Sequence, residues 1–118
     1  ERTTQARMLW QHDSQWRLPP LWRHEYLNVL STYVRTNGMD VPGAKQVWYS
    51  AVDLCTSMEH VIDMEAALEL SVEKAISTYD AQFVVLARLL DVPLVSEDKR
   101  LRRRCRETVV SMAQYLKR

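Results

Sequence analysis

Apolar positions recur at helical spacing through most of this chain, interrupted by short extended segments. Ala6, Met8, Leu9 and Trp10 predict a first helix, capped by Thr3 or Thr4 and ending near the polar stretch His12-Asp13-Ser14-Gln15. Trp16 to Leu18 reads as a short strand. Pro19-Pro20 stops it and opens a helix from about Leu21 to Thr36, closed by Asn37-Gly38. Val41 to Cys55 predicts a further helix, with Pro42 in its first turn and Ala44, Val47, Trp48, Ala51 and Leu54 at helical spacing. A second short strand follows at Glu59 to Ile62. Asp63 is placed to cap a helix from Met64 to Ile76 with Ala67, Leu68, Leu70, Ser71 and Ala75 inward and Glu65, Glu69 and Glu73 in solvent.

Ser77 or Thr78 starts the next helix, which runs through Leu90 with Phe83, Val84, Leu86, Ala87 and Leu90 inward. Val92 to Val95 is nearly all apolar, as buried parallel strands are, and Lys99 to Arg106 reads as helix again. Short strands alternating with helices predict an α/β fold, a short parallel sheet flanked by helices.

Composition adds limits. The 118 residues are 47% hydrophobic and 26% charged, enough for one domain over 1–118 with a core that needs no staples. A net charge of +1 argues for no particular partner, although the sum hides a local bias. Cys55 and Cys105 lack metal or redox spacing and read as buried or idle thiols. No apolar run approaches the roughly 20 residues that cross a bilayer, and no stretch reads as a signal peptide, so no membrane partner and a cytoplasmic location are expected. His12, His24 and His60 share no ligand spacing, and the four tryptophans sit where core or dimer contact is expected. With only Gly38 and Gly43, no phosphate loop exists, which argues against nucleotide hydrolysis.

Three acids break this pattern. Glu25 lies at the edge of a helical face formed by Trp22, Tyr26, Val29 and Tyr33, where partial burial is expected, and Asn28 one turn on could orient it. Asp80 falls in a first helical turn, and Asp98 stands just past the strand Val92 to Val95, where open α/β sheets place their ligand crevice. Each has a plain structural alternative: a rim ion pair with Arg23 or Arg35 for Glu25, a dipole or capping-box role for Asp80, and a helix N-cap for Asp98. If the three converge, their mutual repulsion calls for a hard divalent cation such as Mg²⁺ or Mn²⁺. Lys99, Arg100, Arg102, Arg103, Arg104 and Arg106 follow Asp98 directly and could hold RNA phosphates. The alternative is a solvated face paired with Glu97, Glu107 and the acidic helix.

The phrases Pro20-Leu21-Trp22 through Glu25 to Asn28-Val29-Leu30, Thr78-Tyr79-Asp80-Ala81, and Val92-Pro93-Leu94-Val95-Ser96-Glu97-Asp98-Lys99-Arg100-Leu101 resemble PIN-domain ribonucleases, VapC-like toxins of toxin-antitoxin pairs in particular. The resemblance covers nearly the whole chain. It implies a three-layer α/β/α fold and a pocket for Mg²⁺ or Mn²⁺ in which Glu25, Asp80 and Asp98 are both metal ligands and catalytic residues. Ser96 matches the family's small hydroxyl residue, and beside such a pocket the residues' own reading has Asn28 in support and Lys99, Arg100, Arg102 and Arg103 gripping RNA. It further implies a metal-activated water attacking an RNA phosphodiester, a homodimer, and a small antitoxin as partner.

The chain departs from that family at its start. PIN domains open with a strand ending in aspartate, and nothing here corresponds to it, so the expectation is a piece of a longer protein whose domain is N-terminally incomplete. The rival expectation is a non-catalytic PIN-like scaffold that binds a protein partner or RNA.

Overall fold

Helices alternate with very short extended segments in the computed structural model, which describes residues 2–118, with side chains from Thr4 onward. The order is α1 (Arg2–His12), α2 (Trp22–Thr36), α3 (Val41–Cys55), a 3-10 turn (Thr56–Met58), α4 (Met64–Lys74), α5 (Thr78–Leu90), β1 (Leu94–Val95), α6 (Lys99–Arg104), β2 (Val109–Val110) and α7 (Met112–Leu116). β1 and β2 are parallel, with Leu94 opposite Val109 and Val95 opposite Val110. The result is a mixed α/β fold dominated by helix.

Caps explain why the helices begin where they do. Asp40, Asp63, Ser77, Asp98 and Ser111 each accept a hydrogen bond from the backbone N–H three residues on, satisfying a donor that the helix leaves orphaned. Ser111 and Gln114 complete a reciprocal capping box on α7. Thr4 lies inside α1 rather than at its cap, and the predicted cap at Thr3 falls outside the described side chains. Only Gly38 among the glycines takes positive φ, just after α2. The helices α4 and α5 end instead on left-handed Ala75 and Asp91, with Ile76 and Val92 donating back to Ser71 and Ala87 in six-residue closures. Ala75 therefore terminates α4, where the sequence pattern continues it to Ile76.

The chain divides into two compact units, residues 1–16 with 62–118, and residues 17–61. In the first, α4 and α5 pack as a hairpin whose core is Ala67, Leu70, Ala81, Val84, Leu101, Cys105 and Val109. Leu68, predicted inward, is exposed, because only the Ala67/Leu70 edge of α4 meets α5. Glu65, Glu69 and Glu73 are solvated as predicted. At the other end of this unit α1 packs on α7, where the Tyr115 hydroxyl donates to Asp13 at 2.7 Å and His12 sits edge-on to the Tyr115 ring. The Gln15 N–H and that hydroxyl hold the Asp13 carboxyl below its ordinary range.

In the second unit, the two predicted strands reduce to one parallel bridge between Leu18 and Glu59, with Leu18 N–H donating to Met58 and His60 N–H to Leu18. The rest of 16–18 and 59–62 is irregular. On α2 the buried side chains are Trp22 and Leu30, whereas Val29 and Tyr33 are exposed, and α3 buries no residue fully. Both cysteines are free thiols, Cys55 half-buried and Cys105 fully buried, and burial raises both pKa values.

Candidate nucleic-acid interface

The loop between β1 and α6 is built by backbone satisfaction. Ser96 N–H donates to Val110 across the sheet, its hydroxyl accepts from Asp98 N–H at 3.1 Å, and Asp98 Oδ1 accepts from Leu101 N–H at 3.0 Å. Asp98 is thus exposed and capping α6, so its structural alternative is realised with one carboxylate oxygen still uncommitted. Ser96 holds the loop that presents it.

The basic run divides by helix face. Arg100 and Arg104, one turn apart, donate to the carbonyls of Ala75 and Lys74 at the C-terminal end of α4, where the helix dipole favours cations. Lys99, Arg102, Arg103 and Arg106 lie on the other face and, with Val109, Val110 and Gln114, line a cleft of about 500 Å³. Arg102 donates to the Ser96 carbonyl at 3.0 Å and stands 3.9 Å from Glu97, which joins the cleft to the loop carrying Asp98. The sequence alternative, a solvated face paired with acids, is realised in part: Lys99, Arg100, Arg103, Arg104 and Arg106 are exposed, and among the described residues only Arg102 of the run lies within ion-pair distance of an acid. Glu107 pairs with Arg88 at 2.6 Å and lies 3.8 Å from Lys74, and Glu97 accepts from Met112 N–H. Its own backbone N–H and Arg88 keep the Glu107 carboxyl low. The sequence reading missed β2 and α7, which supply Val109, Val110 and Gln114; the signal available was Ser111 three residues before Gln114, a capping-box spacing.

Asp80 belongs to this same unit. It sits half-buried in the first turn of α5, its N–H capped by Ser77 at 3.0 Å. Glu25 and Asn28 lie on α2 in the second unit, both exposed, so the expected partial burial of Glu25 is not observed. The buried edge of α2 runs through Trp22 and Leu30, and Glu25 falls outside it. Arg23, a predicted partner for Glu25, is engaged by Glu59: Nε donates to Oε2 at 2.6 Å and Nη2 to Oε1 at 3.1 Å. Arg35 donates to the Ser31 carbonyl. Among the described residues no three His, Cys, Asp or Glu side chains are grouped so as to hold a metal ion. No helix among them is long and apolar enough to cross a membrane.

No protein-family model matches the chain, and no curated protein matches it in sequence. Among solved structures it shares its fold with a protein of Pyrobaculum aerophilum, at a TM-score of 0.68 and 19% identity over 98% of this chain and 80% of that one. That protein is PAE2754. At this identity the likeness is one of fold alone.

Proposed function

We propose that this chain acts on RNA as a Mg²⁺- or Mn²⁺-dependent ribonuclease with a PIN-like fold, the toxin of a toxin-antitoxin pair. The observation that carries the RNA part is the cation-lined cleft bonded through Arg102 and Ser96 to the loop that presents Asp98. Phosphate oxygens are the ligands such a surface suits. Asp80 and Asp98, both in the first unit, take the carboxylate roles in this reading, with Ser96 in support. The donor chemistry fits a hard cation, because Mg²⁺ commonly takes only one or two protein carboxylates and completes its shell with water and substrate phosphate. When bound, the ion supplies Lewis acidity and a more acidic water. A homodimer and a small inhibitory antitoxin belong to the same reading.

One test decides it: cleavage of a mixed RNA pool with Mn²⁺ or with chelator, by the native protein and by Asp80→Asn. The expected outcome is metal-dependent cleavage that the substitution reduces at least 100-fold while the circular dichroism spectrum is kept. Full activity of Asp80→Asn sinks the assignment. The rival, a non-catalytic scaffold binding RNA or a protein partner, is favoured by the commitment of Asp98 to capping and predicts no cleavage by either protein.

A further inference from the structure

Resting on the RNA part of that reading, we infer that the cleft is a cationic clamp on the sugar-phosphate backbone, engaging about three phosphates through Lys99, Arg103 and Arg106 and discriminating little between adenine and uracil.

The argument starts from what each lining group can offer. Lysine and arginine donate and never accept. Gln114 does both, but its Oε1 already accepts from Ser111 N–H at 2.7 Å, which leaves one lone pair beside the amide NH₂. Val109 and Val110 supply apolar wall, and no carboxylate or aromatic ring lines the cleft. A ligand that fits must therefore present acceptors. Phosphate oxygens do so at every nucleotide. The exocyclic amines of adenine and cytosine find no carboxylate among the lining side chains, and no base finds a ring there to stack on.

Ion pairing sets the number of contacts. Of the four cations in the cleft, Arg102 is already held by the Ser96 carbonyl and Glu97. Lys99, Arg103 and Arg106 have no acid within ion-pair distance among the described residues. Lys99 and Arg103 stand one turn apart on α6, and Arg106, just past its end, lines the same cleft. Three phosphate contacts on a flexible strand give a slope of about −2 in log affinity against log salt, since each contributes about −0.7.

The test is fluorescence anisotropy with labelled oligo-U and oligo-A in chelator, so that cleavage plays no part. Affinity is expected to fall about 20-fold between 50 and 200 mM salt, as the slope of about −2 requires. The two oligomers should bind within about threefold of each other, given that no lining carboxylate accepts from the adenine amine and no lining ring stacks on either base. Arg103→Gln and Arg106→Gln should each flatten the slope by about 0.7, while Lys45→Gln, an equal charge change on α3, should not. Unchanged slopes in both arginine variants, a preference above about tenfold between oligomers, or no binding at all would each overturn the clamp. Cleavage in Mn²⁺ is scored separately: binding as expected without cleavage sinks the nuclease and keeps the clamp, whereas cleavage with unaltered slopes does the reverse.

Discussion

The two units of this chain are held together by different physics. In the first, Ala81, Val84 and Cys105 are 0% exposed and lie in one apolar cluster with Leu70, Leu101 and Val109. The second buries few side chains, Pro19, Trp22, Leu30 and Met58 among them. Its centre is Glu59, which accepts from the indole N–H of Trp22 at 2.7 Å and from Arg23 twice, while Trp48 stacks on Trp22 at 5.9 Å. Apolar burial is indifferent to protonation, and a charge-assisted knot is not. The comparison teaches that a helix pair can be anchored chiefly by an apolar core or by a polar knot around one carboxylate.

The sharpest way to break that contrast is at the core. Leu70→Ala should cost about 2–5 kcal/mol, read by chemical denaturation, because α4 and α5 cannot collapse freely onto the vacated volume. A smaller effect is expected from Glu59→Gln, which keeps the shape and removes the charge. It should lower hydrogen-exchange protection at the Leu18 and His60 amides, the two donors of the strand bridge; unaltered protection would mean the knot is ornamental.

Acid makes the same cut. Arg23 foremost, and Trp22 after it, hold the Glu59 carboxyl below its ordinary range. A depressed carboxyl pKa contributes stability that is complete above the unfolded value of about 4.3 and is lost as pH falls through the folded one. Protection at Leu18 and His60 should therefore drop below about pH 4.3 in the native protein, and that drop should be absent in Glu59→Gln. The smallest expected change is a gain. Ala75→Gly relieves a left-handed alanine at the end of α4 and should stabilise the first unit by about 0.5–1 kcal/mol, the steric relief outweighing glycine's extra entropy.

Helices were legible in the sequence because their signals are local. Asn37-Gly38 ends α2, Pro42 marks the first turn of α3, and Asp63 and Ser77 cap where spacing places them. Strands were legible only in part, because pairing is decided by distant partners: Val92 to Val95 contains β1, but Trp16 to Leu18 and Glu59 to Ile62 have strand-like composition and contribute one bridge, while Val109-Val110 gains its role only by lying beside β1. The candidate site divides in the same way. That Asp98 stands between a strand and a helix follows from neighbouring residues. Which arginines brace α4 and which line the cleft depends on where α4 ends, and left-handed Ala75 decides that.

The bridge between Leu18 and Glu59 joins residues 41 positions apart. Closing a flexible loop of that length costs about 4 kcal/mol of chain entropy. The bridge itself contributes two backbone hydrogen bonds, worth about 1 kcal/mol each. Left to its backbone, the loop would stay open. What shuts it is the stacking of Trp22 on Trp48, the burial of Pro19 and Met58, and the grip of Arg23 and Trp22 on Glu59, so the segment that presents Glu25 is closed by its side chains rather than by its strand.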